Sequence, residues 1–452
     1  MEKAVLLAKN PWWKGKHYFE QDEDYRRWKQ KKIRWIPELM SDLKLKPFSL
    51  NFIFGPRQSG KTTVLKLKIK DLLFKNIKPE QIFYFRCDNL KDYKELDEVI
   101  SLYLDLRKEL GAGSSYIFLD EITFADEWYR TIKSRIDAGD FKNDVLVITG
   151  SASFDILKHA EYFPGRRGKG RNYYVFPVSF RKYIEIMDNK LHERIPECKS
   201  IKQIKKNSIK AFIYLDELQI HYNNYLKTGG FPLAINFYPE NKTEAENVYL
   251  NWIKNDIARV NKDIDIAREI LKVVLTKIPS TISWEKIAKE TSIKSPRTIY
   301  SYLNIFEKMF VLLISYFINP SRLTTEFAKN KKIHLIDPFM YEILENWCLL
   351  NIKNKKNKKS EDVVAVHLHR FAKKNKLFSE KIFYWKNSHE IDNVLVSKEK
   401  AVGFEVKWAN NVKPVNLVVN KLKEVYVLSK TGFVSEKNII PISVFLSLLD
   451  IN

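Results

Sequence analysis

The chain has 452 residues, 78 Lys and Arg against 55 Asp and Glu, and a formal net charge of +23, with 45% hydrophobic and 13% aromatic residues. It is too apolar for a disordered chain and long enough for about three domains. The positive excess favours a polyanionic partner such as DNA or an anionic membrane face, against the blander alternative that a lysine-rich proteome makes basic proteins with no such role.

Residues 1–46 hold Trp12, Trp13, Trp28 and Trp35 and read as an aromatic, basic arm lying on the domain after it. From 47 to 190, short apolar runs at 49–54, 81–87, 115–119, 144–149 and 172–176 alternate with helical spacing at 62–76, 92–110 and 126–138. That alternation predicts a parallel α/β sheet. Residues 191–262 read as a helical lid or connector, broken by the Gly-Gly-Phe-Pro turn at 229–232. Residues 263–350 read as a winged helix of three helices and a β-wing, with Ser295-Pro296 opening the third helix. A polybasic stretch at 351–362 reads as a loop or linker, followed by a helix at 363–373 and β segments at 381–385, 392–396, 401–408 and 423–429. Cys87, Cys198 and Cys348 lie far apart and form no metal-ligand pair. No apolar run reaches the ~18 residues of a membrane span, and the first residues lack a secretory pattern, so a cytoplasmic protein is expected.

Gly55-Pro56-Arg57-Gln58-Ser59-Gly60-Lys61-Thr62 fits G-x-x-x-x-G-K-[ST], between a strand and a helix that begins with Thr62-Thr63. A loop that wraps phosphate must point successive backbone N–H groups inward, and the helix N-terminus then faces the anion. In this reading the loop binds ATP, Lys61 reaches the β- and γ-phosphates, and the Thr62 hydroxyl ligates Mg²⁺. The apolar strand 117–119 ends in Asp120, expected on Mg²⁺, and Glu121, expected to orient the attacking water. Thr149 or Ser151, at the end of the fourth strand, would contact the γ-phosphate or that water, although Ser and Thr are common at strand ends. Arg166, Arg167 and Arg171 are candidates for a cation on the γ-phosphate, in this chain or in a neighbouring copy of a homo-oligomer. The competing reading is a solvated basic loop.

The ordered set GPRQSGKTT, YIFLDEI, ITGS, GRRGKG, FPVSFRKY and YLKTGGFP resembles the prokaryotic, especially archaeal, AAA-like ATPases whose C-terminal domain of unknown function joins a winged helix to a restriction-endonuclease-like fold. The resemblance spans about 45 to 410. It implies ATP binding, ATPase activity and an additional strand between the P-loop strand and the strand ending in Asp120. At 351–452 it directs attention to Asp392 on one strand and Glu405-x-Lys407 on the next, the PD-(D/E)xK nuclease pattern. Residues two apart on a strand share a face, so Glu405 and Lys407 would point together, as would Glu390 and Asp392. Asp392 and Glu405, with Glu361 upstream, would hold Mg²⁺, and Lys407 would activate water. Ile391 stands where the pattern has Pro, and a salt-bridged sheet is the alternative. Lys294, Arg297 and Tyr300 are the winged helix's candidate DNA contacts. The expected function is a Mg²⁺-dependent ATPase coupled to a module acting on DNA. The alternatives are a slow nucleotide switch holding a protein partner, and an ATP-regulated nuclease.

Overall fold

The computed structural model describes residues 3–150, 163–238, 240–377, 381–415, 417 and 419–451. Its first sheet is built from short runs, most of them buried on both faces. These are β1 (Ser49–Phe54), β2 (Ile82–Arg86), β3 (Tyr116–Asp120), β4 (Val145–Thr149) and β5 (Asn172–Tyr174). All the pairings are parallel, and the order is β2-β3-β4-β1-β5. Thus β4 lies between β1 and β3, the place where the resemblance puts an added strand. Parallel strands need helical crossovers. The principal helices of this unit are α1 (Glu23–Gln30), α2 (Lys61–Phe74), α3 (Tyr93–Glu109) and α4 (Trp128–Asp137).

The N-terminal residues cover the β2 edge. Asn10 mimics a strand there, its side chain accepting from Tyr84 N at 2.7 Å and donating to Tyr84 O at 3.0 Å. The Trp12 and Trp13 indoles both donate to Ile82 O, at 2.9 and 3.0 Å. An open edge would expose unpaired backbone groups, and these side chains satisfy them.

The chain gathers into two compact units, Met1–Phe176 and Pro177–Asn452, where the sequence suggested five segments. In the second unit the principal helices are α5 (Phe180–Met187), α6 (Ile201–Phe212), α7 (Leu215–Thr228), α8 (Lys242–Arg259), α9 (Ile264–Lys277), α10 (Trp284–Lys289), α11 (Pro296–Lys308), α12 (Met340–Cys348), α13 (Lys355–Lys374) and α14 (Ile442–Leu448). Its strands are β6 (Leu312–Asn319), β7 (Thr324–Leu335), β8 (Ile382–Lys386), β9 (Glu390–Val396), β10 (Ala401–Lys407), β11 (Leu422–Ser429) and β12 (Ile439–Pro441). They form one sheet in the order β12-β11-β10-β9-β8-β6-β7.

Two expectations are corrected here. The strand expected as the wing, β6, joins the C-terminal strands together with β7, because β6 pairs in parallel with β8 at Tyr316–Phe383 and Phe317–Tyr384. A boundary at 350/351 therefore cuts through a sheet. The polybasic stretch is not a linker, since α13 begins at Lys355. Lysine is a good helix former, and one turn apart Lys355 and Lys359 bond carboxylates of α12. Lys359 Nζ lies 2.9 Å from Glu342 and donates to Leu226 O at 2.7 Å, and Lys355 pairs with Glu345.

The PVSFRKY and YLKTGGFP segments meet inside the second unit. Val178 N donates to Gly230 O, and the Tyr225 hydroxyl to Val178 O, each at 2.8 Å. Gly230 N donates to Asp337 at 2.7 Å, and Arg370 donates to Pro177 O at 2.8 Å. Phe180 N donates to His367 Nε2 at 2.9 Å, while His367 Nδ1 lies 2.7 Å from Val363 O. These partners fix a neutral imidazole with its proton on Nδ1, and burial holds its pKa down at about 3.

Candidate functional site

The first site is the turn between β1 and α2. Gln58 and Gly60 have φ of 60° and 99°, both left-handed, and alternate with ordinary residues. That is the backbone pattern of an anion-binding nest. Gly55 is required by space, since a Cβ there would come within 2.3 Å of Val175 O. Pro56 and Ser59 are buried, and the Ser59 hydroxyl donates to Pro56 O at 2.8 Å. Arg57 lies with its guanidinium carbon 5.8 Å from the Phe124 ring centroid. Buried Lys61 folds back, its ammonium donating to Gly55 O at 2.9 Å and Pro56 O at 2.8 Å. Thr62 and Thr63 follow in the first turn of α2.

Asp120 is fully buried at the end of β3 and is the hub of the site. Its Oδ2 accepts from the Thr62 hydroxyl at 2.7 Å and the Tyr84 hydroxyl at 2.9 Å, and its Oδ1 accepts from Thr149. Thr149 in turn accepts from Glu121 N at 3.2 Å. Glu121 itself sits in a left-handed turn, φ 55°, as the chain leaves the strand. The hard oxygens of Thr62 and Asp120 already touch, a donor set that suits Mg²⁺.

Tyr84 is the residue that periodicity hides, because it reads as one more aromatic in a buried strand. Its phenol is held protonated, with its pKa pushed well up by burial and then by the Asp120 charge. The Lys66 ammonium lies 3.3 Å from the Tyr84 ring centroid and 2.6 Å from Asp22, the residue that caps α1. Burial depresses the Lys66 pKa, and Asp22 opposes that shift. A buried polar chain therefore runs Asp22–Lys66–Tyr84–Asp120, from the N-terminal segment to the end of β3.

Residues 48–184 match the family described as AAA domain. A second match, to a domain of unknown function (DUF8612), covers 219–356. No curated protein matches the chain. Among solved structures, the ORC2 protein of Aeropyrum pernix in its ADPNP-ADP complexes is 12% identical, covering 67% of this chain and 88% of its own, at a TM-score of 0.36. Cdc6p from Pyrobaculum aerophilum is 11% identical over 66% and 87%, at 0.25. AMPPCP-bound DnaA from Aquifex aeolicus is 14% identical over 60% and 85%, at 0.27. At such scores these likenesses carry no weight for the function of this chain.

Within the AAA-domain match, the arginines part company. Arg166 is bound to Asp137 at 2.6 and 3.2 Å. Arg167 lies with its guanidinium carbon 5.1 Å from the Phe52 ring centroid, and burial lowers its pKa. Arg171 is exposed, and its backbone bonds to Asn51 and Phe52. Ser151 lies outside the described residues.

In the second unit the expected nuclease residues divide into two groups around a residue the sequence reading missed. Lys332 of β7 is buried, its ammonium 2.6 Å from Glu361, 2.9 Å from Asp392 and 3.0 Å from Glu390. Burial works against its charge, but the three carboxylates outweigh that and raise its pKa. Glu361 is pushed well up, by burial first and then by Asp392. Glu405 turns elsewhere, to His389 at 2.8 Å and to Lys407 at 2.5 Å. Among the described residues, no three His, Cys, Asp or Glu side chains are arranged to hold a metal ion. A cleft of about 780 Å³ opens above, lined in part by Lys356, Glu361, Asp392, Lys407 and Trp408. Lys294, Arg297 and Tyr300 are exposed around the start of α11, with the Tyr300 ring 6.5 Å from Trp284.

Proposed function

We propose that the first unit binds ATP with Mg²⁺ and hydrolyses it. The observation that carries this is the 2.7 Å contact between Thr62 and Asp120, which joins the turn at 55–62 to the carboxylate at the end of β3. In this reading the amides of 55–60 cradle the β-phosphate, and Lys61 exchanges its bonds to Gly55 O and Pro56 O for phosphate oxygens. Mg²⁺, when bound, neutralises charge on the β- and γ-phosphates, held by Thr62 and Asp120. Glu121 orients and deprotonates the attacking water. Thr149 braces Asp120 and the Glu121 amide together, so the two carboxylates keep a fixed relation.

The test is phosphate release alongside ATP binding. Glu121→Gln should slow release by roughly 10²-fold or more while ATP still binds. Lys61→Ala should lose nucleotide affinity. Turnover that survives both changes refutes the assignment, whereas binding without turnover in the unchanged protein identifies a nucleotide-held switch.

The second unit is read as the effector of this nucleotide cycle, with DNA as its partner. The +23 charge and the exposed Lys294, Arg297 and Tyr300 support that reading. Binding to duplex DNA should weaken steeply with added salt and should weaken again in Lys294→Ala/Arg297→Ala. Salt-insensitive binding, or none, removes DNA as the partner.

A further inference from the structure

The resemblance of the C-terminal strands to metal-dependent nucleases requires a divalent cation between Glu361, Asp392 and Glu405. The residues present do not fit one. Lys332 enters from β7, beneath the cleft floor, and places a single ammonium against one oxygen each of Glu361, Glu390 and Asp392, at 2.6–3.0 Å. The second oxygen of Asp392 accepts from Val406 N at 2.9 Å, so both its oxygens are engaged. Glu405 spends its two oxygens on His389 and Lys407.

We infer that the Lys332 ammonium fills the cation position of this cleft, so that the cleft works without a divalent metal ion.

The reasoning is electrostatic. Carboxyl groups gathered around one buried point favour a positive charge there, because a buried anion without a partner is strongly disfavoured. A divalent cation and an ammonium compete for the same oxygens. Lys332 is fixed to a strand whose neighbour His334, two residues on, is bound to Asp362 at 2.9 Å. Asp362 also accepts from Leu335 N at 3.0 Å and from the Tyr341 hydroxyl at 2.7 Å. The strand is thus pinned against α13 close to the ammonium. Evicting Lys332 would leave its own charge buried and unpaired, since the side chain is 1% exposed. The cleft keeps cationic groups at its lining, Lys356 and Lys407, and with the Lys332 ammonium in the cation position it leaves no place for an ion that would activate water and neutralise a leaving oxygen. This inference is independent of the ATPase reading, because it concerns residues of the second unit alone.

The experiment titrates Mn²⁺ into the nucleotide-free, full-length chain and follows free Mn²⁺ by electron paramagnetic resonance, with Asp120→Asn present throughout to silence the phosphate site. The Lys332 chain should take up no Asp392-dependent Mn²⁺ in the millimolar range. Lys332→Met should gain one bound equivalent, lost again in Lys332→Met/Asp392→Asn. If Lys332→Met does not fold, comparing the Lys332 chain with its Asp392→Asn version still decides the matter. Mn²⁺ uptake by the Lys332 chain that disappears with Asp392→Asn overturns the inference. So does a folded Lys332→Met chain that gains no Mn²⁺, because the three carboxylates would then define no cation position.

Discussion

At the scale of single residues, the glycine-lysine turn at 55–62 was readable as a motif because its pattern is local. Gly55, Gly60, Lys61 and Thr62 lie within eight positions, and each residue type is demanded by backbone angle, charge or hydroxyl. Tyr84 and Lys332 were not readable, because each acts through partners far off in the chain, Asp120 in one case and Glu361 and Asp392 in the other. Tyr84 donates one of three side-chain hydrogen bonds that aim Asp120. A hydrogen bond to a charged group contributes about 1.5–3 kcal/mol. Tyr84→Phe should therefore raise the Mg²⁺ concentration needed for half-maximal ATP turnover by roughly tenfold, with the fold intact by circular dichroism. An unchanged Mg²⁺ requirement would show that Thr62 and Thr149 suffice to position the carboxylate.

At the scale of elements, strands and helices followed from the pattern wherever apolar residues repeat at the spacing of the element. The run at 49–54 is β1, and the helical spacing at 92–110 is α3 to within a residue at each end. Two elements escaped for opposite reasons. The lysines of α13 look solvated in sequence, but Lys359 is buried and ion-paired with Glu342. The segment 164–171 looks like an open basic loop, yet it runs along β1, with Leu50 N donating to Arg167 O and Phe52 N to Arg171 O, each at 3.0 Å. Gly170 makes that approach possible, since a Cβ there would sit 1.9 Å from Leu50 O. The obstacle is backbone of a central strand and cannot swing aside. Gly170→Ala should cost roughly 3 kcal/mol or more in urea unfolding, at the upper end of overpacking. A loss under about 1 kcal/mol would mean the segment lifts off β1 at little cost.

For the whole molecule, the join between distant segments dominates. The Pro177–Phe180 and Gly229–Pro232 motifs matter in the second unit as mutual hydrogen-bond partners, and both run to α13 or to Asp337. His367 at this join has a folded pKa of about 3 against an unfolded value of 6.5. Its neutral form is the one that folds, so its contribution is complete above pH 6.5 and is lost as pH falls toward 3. The free energy of unfolding should drop by up to about 1.4 kcal/mol per pH unit from this group across that window. His367→Gln, which cannot take up a proton, should flatten the slope measured by urea unfolding between pH 6.5 and about 4.5. An equal slope in both proteins would place the proton uptake on other groups.

The sequence by itself determined the strand–turn–helix at 49–74, the strand that ends in Asp120 and the alternation that builds the first sheet. All three depend on neighbours within a few residues, and local backbone geometry encodes such patterns directly. Only the tertiary structure decided that the hairpin at 312–335 completes the C-terminal sheet and that a lysine from that hairpin stands among its carboxylates. Strand edges carry the same N–H and C=O groups whatever their side chains, so which edges meet, and which charges are buried with them, is settled by packing.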